Sequence, residues 1–392
     1  MKGQPVVSIQ PEILRWARES IGKSLADVAH TLKRPPDEIE AWENGSSAPT
    51  YVQLEKLAYE VYKRPLAVFF FPNPPQEKSP QSDFRTLPEE DLRELLPDTY
   101  INIRRGRAYQ VALQELFGAA NPVPNPIWRT ITLSEKDSVE KRAAQVRIFL
   151  GIPLEAQEKW LDDDEALKQW RSALERGGIF VFKHAFKQKS ISSFCLSDEQ
   201  FPIIYLNNST TKTKQIFSLF HELAHVLLRM NGITKFDESY TQGLQKREQR
   251  IEKFCNIFAA EVLIPAADFA KQTASLSDNI EKTADGICQR LAKRYGVSRE
   301  AILRRFLDRG EISSIFYENK ANFWTSQQKK ENDGGGDYYQ TQKAYLSVNF
   351  SREVFSRFHR RQITKDEAAE FLDIKPKNFD ALEEKIFWGM EA

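Results

Sequence analysis

The stretch that decides how this chain folds runs from Gln215 to Leu227 and reads QIFSLFHELAHVL in one-letter code. Its apolar residues recur at the three- and four-residue spacing of an α-helix, so we predict a helix from Gln215 onward. His221 and His225 are four positions apart and share one face of that helix, from which both imidazoles reach a single metal ion. Glu222 points about 100° away from His221 around the helix axis.

Chance is the alternative explanation of this pattern, because three fixed positions within five residues also arise in ordinary apolar helices. The chain has only five histidines, however, and two of them lie in the pattern. Burying two imidazoles and a carboxylate among apolar side chains is costly unless they have a partner. These facts favour a metal site. Glu222 is then placed to take a proton from a water molecule beside the ion and to return it to a leaving amine.

The third metal ligand is expected from a second helix, since a tetrahedral catalytic site uses three protein ligands and leaves one position open. We predict that helix over 248–263, ended by Pro265. Glu252 and Glu261 lie nine residues apart on it and face nearly opposite directions. Asn256 lies one turn after Glu252, where its side chain can hydrogen-bond to a ligating histidine. We favour Glu252 over Glu261, and this choice also rests on a resemblance.

Residues 215–225, followed by residues 252–265 (EKFCNIFAAEVLIP), resemble the ImmA/IrrE metallopeptidase family. In that family a Glu-x-x-Ala-Asn-x-Phe-Ala-Ala helix follows the His-Glu-x-x-His helix, and its first glutamate is the third metal ligand. The resemblance implies that His221, His225 and Glu252 hold the ion and that Glu222 is the catalytic residue. It implies Zn²⁺, with Mn²⁺ or another divalent ion as alternatives. This chain has Cys255 where alanine is usual.

The flanking segments extend the resemblance. Residues 194–207 are similar to the strands before the metal helix, and residues 291–305 to the helix-turn-helix-like tail. Residues 334–339 and 368–382 resemble long members in which an XRE-type domain precedes the peptidase. We predict strands over 179–182, 191–196 and 202–206. The last of these either presents an edge to which an extended substrate adds, or simply supports the metal helix.

The function that the resemblance implies is that of a zincin-like endopeptidase of narrow specificity. Family members are associated with cleaving XRE-type repressors, which controls phage, mobile-element or stress genes. The expected partners are a protein substrate, above all such a repressor, and a toxin. The alternative is a non-enzymatic DNA-binding regulator or antitoxin whose metal is structural or sensory. No oxyanion-stabilising residue stands out, and the weak candidates are His184, His359, Tyr205, Tyr338 and Tyr339.

Residues 11–71 resemble an XRE-type helix-turn-helix domain. The resemblance rests on residues 24–29 (SLADVA), on the turn at 33–36 and on residues 39–45 (IEAWENG). The candidate DNA-binding residues lie in the turn and at the start of the second helix of the motif: Lys33, Arg34, Asp37 and Glu38. Residues 1–72 contain nine Lys or Arg and nine Asp or Glu, so the basic footprint of a strong DNA binder is missing. A protein-binding or dimerising role is therefore the alternative.

The predicted fold class is α+β and predominantly helical. An all-α helix-turn-helix domain (1–72) is followed by a helical linking region (73–178), a metallopeptidase domain with a small sheet (179–312) and a helical C-terminal region (313–392). The proline-rich stretch 72–75 marks the first boundary, and the glycine-rich loop 332–336 is a further candidate boundary within the C-terminal region.

Composition narrows the class of protein. Lys and Arg total 56 against 55 Asp and Glu, which excludes a strongly basic nucleic-acid coat and an acidic disordered tail. The three cysteines fit no metal-binding spacing and are typical of a reducing cytoplasm. The apolar runs are far shorter than the ~20 residues of a membrane span. We therefore predict a cytoplasmic protein without a membrane partner.

Overall fold

The computed structural model describes residues 4–77, 80–274, 276, 280–328 and 337–388. It divides the chain into two compact units. Unit 1 comprises residues 1–105 with 186–188, and unit 2 comprises residues 106–185 with 189–392. The four predicted domain ranges are a finer division and stay a prediction. The predicted boundary at 332–336 lies outside the described residues, as do residues 334–336 of the 334–339 segment.

Unit 1 is built from short helices. They are α1 (Pro11–Glu19), α2 (Leu25–Leu32), α3 (Pro36–Glu43), α4 (Tyr51–Lys56), α5 (Pro80–Asp83) and α6 (Glu89–Arg93). A π-helix (Leu57–Tyr62) continues α4, and a 3₁₀-helix (Leu66–Phe70) follows it. The next helix, α7 (Pro97–Phe117), contains the boundary between the two units.

The local sequence explains how α2 and α3 begin and end. Ser24 accepts a hydrogen bond from the Asp27 amide while the Asp27 carboxylate accepts one from the Ser24 amide, which is a capping box. Lys33 ends α2 in the left-handed conformation, with φ of 55°. Pro36 then occupies the first position of α3, where its missing N–H costs nothing. Trp42 on α3 is buried in the core of unit 1.

Unit 2 is α+β, with most of its residues in helices around one sheet. Its helices after α7 are α8 (Ile127–Thr130), α9 (Val139–Leu150), α10 (Leu154–Gln157), α11 (Asp163–Arg176), α12 (Lys212–Leu227), α13 (Lys246–Leu263), α14 (Ala266–Thr273), α15 (Ile280–Tyr295), α16 (Arg299–Asp308), α17 (Ser314–Gln328), α18 (Tyr338–Tyr345), α19 (Val348–His359), α20 (Lys365–Phe371) and α21 (Phe379–Trp388). Two 3₁₀-helices, Glu238–Gly243 and Pro376–Asn378, interrupt this order.

The sheet is mixed and has the strand order β1-β3-β2-β4. Its strands are β1 (Phe180–His184), β2 (Ile191–Leu196), β3 (Ile203–Asn207) and β4 (Gly232–Lys235). β3 is parallel to β1 and antiparallel to β2, and β2 is antiparallel to β4. Of the two roles considered for residues 202–206, the edge role is wrong, because β3 is hydrogen-bonded on both sides. The four residues of β4 are too few to give an alternating pattern, and this strand was not predicted.

The core of unit 2 is centred on α12. This helix packs against β2 and β3 on one side and against α13 on another, and α13 in turn packs against α9. Leu219, Leu223 and Leu227 are fully buried, and the indole of Trp170 meets the ring of Phe220 edge-on, with centroids 4.7 Å apart. Among the described helices, none combines the length and the apolarity that crossing a membrane requires.

Candidate metal centre

Two neighbouring helices bring three candidate ligand side chains together. His221 and His225 extend from α12, and Glu252 extends from α13. The two Nε2 atoms are 3.1 Å apart, and each is 3.3 Å from a different oxygen of Glu252. One candidate ligand atom from each residue can be chosen so that all lie within 4.8 Å of one another. The predicted set of three ligands is thus brought to one point.

The position of Asn256 explains the orientation of the first histidine. Its Oδ1 lies 2.7 Å from Nδ1 of His221. An oxygen at this atom favours the tautomer with the proton on Nδ1 and leaves Nε2 as the electron-pair donor. The second histidine has a thiol at the same ring position, since Sγ of Cys255 lies 3.7 Å from Nδ1 of His225.

The Glu222 carboxylate is held by two hydroxyl groups of the sheet. Ser193 on β2 and Thr234 on β4 are paired in the strand register, and both donate to Oε1, at 2.7 and 2.8 Å. The other oxygen, Oε2, is buried and has no hydrogen-bond partner in the structure. A carboxylate fixed through one oxygen in this way presents the other oxygen in a defined direction, as a general base requires.

Gly232 lets the sheet approach these side chains closely. A Cβ atom at this position would lie 2.6 Å from Cδ2 of His225 and 3.0 Å from Oε2 of Glu222. The backbone conformation here is one that other residues adopt, so the glycine is required by space rather than by its φ angle. β4 therefore closes the site beside His225 and Glu222.

Tyr240 completes the surroundings of Glu252. Its hydroxyl donates to Oε2 of Glu252 at 2.7 Å. Burial, with the nearby Glu252 charge, raises the pKa of Tyr240 well above its usual value, so the phenol keeps its proton. Burial alone would also raise the pKa of Glu252, but the two imidazoles outweigh this effect and lower it below its usual range. Glu252 is thus an ionised carboxylate, the form that binds a metal.

These residues fit a divalent cation. Two imidazole nitrogens and one carboxylate oxygen are the donor set typical of catalytic zinc. Oε1 of Glu252 and Oε2 of Glu222 are buried without a hydrogen-bond partner, and such atoms are costly unless something compensates them. Glu261 takes no part, because it pairs with Arg305 at 2.6 Å and accepts the amide of Ala266. It supports the end of α13, in line with the preference for Glu252.

A cleft of about 1310 Å³ in unit 2 leads to the centre. His221 and Asn256 form part of its wall, next to Lys214, Phe217 and Lys253. The side chains of His225, Glu222 and Glu252 are fully buried, whereas Thr234 also lines the cleft. The cleft therefore approaches the centre past His221 and Thr234.

Four residues of the site were missed by the sequence analysis: Ser193, Gly232, Thr234 and Tyr240. The polar pair Ser192-Ser193 interrupts an otherwise apolar strand, and this was the one available signal. The predicted oxyanion candidates have other neighbours. Tyr205 is stacked on Phe194, His184 faces Tyr345, His359 pairs with Glu383, and Tyr338 faces Tyr339.

The four DNA-contact candidates lie together in unit 1, at the turn between α2 and α3. Lys33, Arg34 and Asp37 are exposed. Arg34 is 3.7 Å from Glu38, which also accepts a hydrogen bond from Gln53. Part of the positive charge in the turn is thus offset by the carboxylate at the start of α3.

Part of unit 2 is similar in sequence to a known family of domains. Residues 174–307 match the Peptidase_M78 family model, described as the IrrE N-terminal-like domain. This segment contains the whole sheet, α12 and α13, and therefore all three candidate ligands.

Two curated proteins are similar to this chain. The radiation response metalloprotease IrrE of Deinococcus deserti is 29% identical over 139 residues, which make up 36% of this chain and 46% of that protein. The radiation response metalloprotease IrrE of Deinococcus radiodurans is 26% identical over 119 residues, or 30% of this chain and 35% of that protein. The chain thus spans less than half the length of each of these relatives.

Proposed function

We propose that this chain is a cytoplasmic metal-dependent endopeptidase of narrow specificity, with a zincin-like catalytic domain that binds Zn²⁺. The observation that carries the proposal is the convergence of His221, His225 and Glu252 beside a carboxylate with one unpartnered oxygen. The match of residues 174–307 to a peptidase family and the similarity to two metalloproteases support it.

In the proposed mechanism, His221, His225 and Glu252 hold the ion. A bound divalent ion polarises the scissile carbonyl and makes a neighbouring water more acidic. Oε2 of Glu222 accepts a proton from the attacking water as the water oxygen bonds to the carbonyl carbon. When the C–N bond breaks, Glu222 returns that proton to the leaving amine. The hydroxyls of Ser193 and Thr234 keep the carboxylate in place during both transfers.

The proposed substrate is an XRE-type repressor, and the proposed result of cleavage is expression of phage, mobile-element or stress genes. A cleft of this volume accommodates several residues of an extended chain, since drug-sized ligands occupy about 300–1,000 Å³. Because the side chains of the three candidate ligands are at most 1% exposed, a substrate must present a flexible segment. A folded surface would not enter.

For unit 1 we propose a helix-turn-helix module that binds a protein, either the repressor or a toxin partner. The capped α2, the tight turn and α3 support the motif. The exposed carboxylates of Asp37 and Glu40 on α3 repel phosphate, which argues against DNA as the partner. A gel-shift assay with the DNA upstream of the gene, over a range of salt concentrations, tests this choice. Sequence-specific binding at moderate salt would contradict it.

The second candidate is a non-enzymatic regulator with a structural metal, and the deep burial of the ligands favours it. Structural zinc sites are usually closed by four protein ligands. In the described part of the chain the cluster has three ligands, which favours the enzyme.

The test of the enzyme is an incubation of the Zn²⁺-loaded full chain with purified XRE-type repressors of the same genome, with fragments identified by mass spectrometry. We expect one cut in one repressor, no cut after chelation and no cut with Glu222→Gln. A metal-loaded chain that cleaves none of them, or a Glu222→Gln variant that cleaves at the wild-type rate, would contradict the proposal.

A further inference from the structure

We propose that Tyr240 is a positioning residue that makes Glu252 a one-oxygen ligand and thereby keeps a position on the metal open. This inference rests on the proposed function, because it concerns the metal centre of the proposed enzyme. No feature of the sequence singles out Tyr240, which lies in a segment without helical or strand periodicity.

Each oxygen of Glu252 lies 3.3 Å from one histidine Nε2, and the two oxygens differ in their other contacts. Oε2 accepts the hydrogen bond of the Tyr240 hydroxyl at 2.7 Å, whereas Oε1 is buried and has no hydrogen-bond partner. A carboxylate can bind a cation through one oxygen or through both. A strong hydrogen bond to Oε2 lowers the electron density it can donate, so ligation through Oε1 alone is favoured.

The position of Tyr240 is fixed relative to the helix that carries Glu252. The 3₁₀-helix Glu238–Gly243 directly precedes α13. The side chain of Gln249 on α13 donates to the backbone carbonyls of Gln242 and Leu244 and so ties the two elements together. The phenol ring is itself buried. The hydroxyl is therefore held in place by packing and by backbone contacts, as a residue that orients a ligand must be.

The number of ligand oxygens matters for the proposed chemistry. With two histidines and one carboxylate oxygen, a metal that prefers four ligands retains one position for water or substrate. If both oxygens of Glu252 were bound, that position would be filled. The hydroxyl of Tyr240 thus favours the arrangement on which hydrolysis depends.

The test is Tyr240→Phe in the full chain, which removes one hydroxyl and keeps the ring. Zn²⁺ affinity is measured by competition with a chromophoric chelator, and the coordination of Co²⁺ in the same site by its visible absorption. We expect the Zn²⁺ affinity to fall about 10- to 100-fold, as is typical when a residue that orients a ligand is lost. We also expect weaker Co²⁺ bands, since their intensity falls when the number of ligands rises.

The matched control is Tyr295→Phe. Tyr295 is also a buried tyrosine of unit 2 and donates to a carboxylate, that of Asp268, at 2.6 Å. Asp268 is not part of the ligand cluster, so Zn²⁺ affinity and the Co²⁺ spectrum should stay at wild-type values in this variant.

Two results would overturn the inference. Wild-type Zn²⁺ affinity in Tyr240→Phe would show that the hydroxyl does not act on the ligand, and reduced affinity with an unchanged Co²⁺ spectrum would show that it does not set the coordination. Neither measurement uses a substrate. A chain that binds Zn²⁺ but cleaves nothing would refute the proposed function alone, whereas a wild-type chain that binds no metal would refute both.

Discussion

Buried glutamates occur in both units of this molecule, but their oxygens have different partners. In unit 1, both oxygens of Glu43 on α3 accept hydrogen bonds from the Arg18 guanidinium on α1, at 2.7 and 2.8 Å. In unit 2, Glu222 and Glu252 are buried at least as deeply, yet each keeps one oxygen without a hydrogen-bond partner.

The difference separates a structural carboxylate from one prepared for a ligand. A buried charge is tolerated when the protein supplies all its partners, and the two-pronged pairing of Arg18 with Glu43 does this. An oxygen left unpaired in the core lowers stability, so it persists where something outside the protein compensates it. We therefore expect mutation of Glu43 to lower mainly stability and mutation of Glu222 to lower mainly the cleavage rate.

The largest effect is expected for Glu222→Gln. An amide of the same shape keeps the packing but cannot take a proton, so the cleavage rate should fall roughly 10²- to 10⁴-fold. Metal content should stay at the wild-type level, because Glu222 is not in the ligand cluster. Single-turnover cleavage and metal analysis of the purified variant check both points. A rate within a few-fold of wild type would remove Glu222 from the mechanism.

Glu43→Gln is the same chemical change in unit 1, and it should lower stability without affecting the metal centre. It leaves the largely buried Arg18 without its charged partner, which should lower the stability of unit 1 by about 3 kcal/mol. Hydrogen exchange of peptides from α1 to α3 measures this loss locally. Zn²⁺ affinity should not change. If Glu43→Gln reduced metal binding, or Glu222→Gln destabilised its unit equally, the comparison would fail.

Gly232→Ala tests how tightly the sheet encloses the site. The added Cβ would lie 2.6 Å from the His225 ring, so the ring or the strand must move. We expect a loss of about 1–3 kcal/mol in stability together with weaker Zn²⁺ binding. Gly286→Ala on α15 is the control, because its Cβ would meet nothing within 4 Å, and it should raise stability by up to about 1 kcal/mol. Thermal unfolding measures the change in stability of both variants, and zinc titration measures their Zn²⁺ binding.

A smaller effect, on the pH dependence of stability, is expected from a buried lysine of unit 2. Lys183 on β1 is 3% exposed, and burial, with the charges of Arg171 and Lys212, lowers its pKa to about 6. Between pH 6 and the ordinary lysine pKa of about 10.4, the unfolded chain binds a proton that the folded chain does not. The stability of unit 2 should therefore rise with pH across this window, by at most about 1.4 kcal/mol per pH unit.

Lys183→Met should remove this contribution, because methionine has no proton to bind. Urea unfolding at a series of pH values should give a flatter dependence for the variant and a higher stability than wild type near pH 7. An unchanged slope would mean that the Lys183 ammonium stays charged in the folded chain.

Local patterns were enough to predict much of the helical structure. The predicted end of α13 before Pro265 depends on residues within a few positions of each other. The Ser24-Asp27 capping box and the start of α3 at Pro36 are equally local. The spacing of His221 and His225 is also a local pattern, because residues four positions apart in a helix share a face. The three strands richest in apolar residues were also predicted, within one or two residues at each end.

What the sequence by itself determined is thus what the chain specifies over short distances: the helices and the common face of the two histidines. The choice of Glu252 on the next long helix also needed the resemblance to a family. Only the tertiary structure decided which distant groups complete the site. Ser193, Thr234 and Tyr240 reach their carboxylates through the order of strands and the path of the chain between β4 and α13. Strand order and loop path depend on contacts between residues far apart in sequence, which no local period encodes.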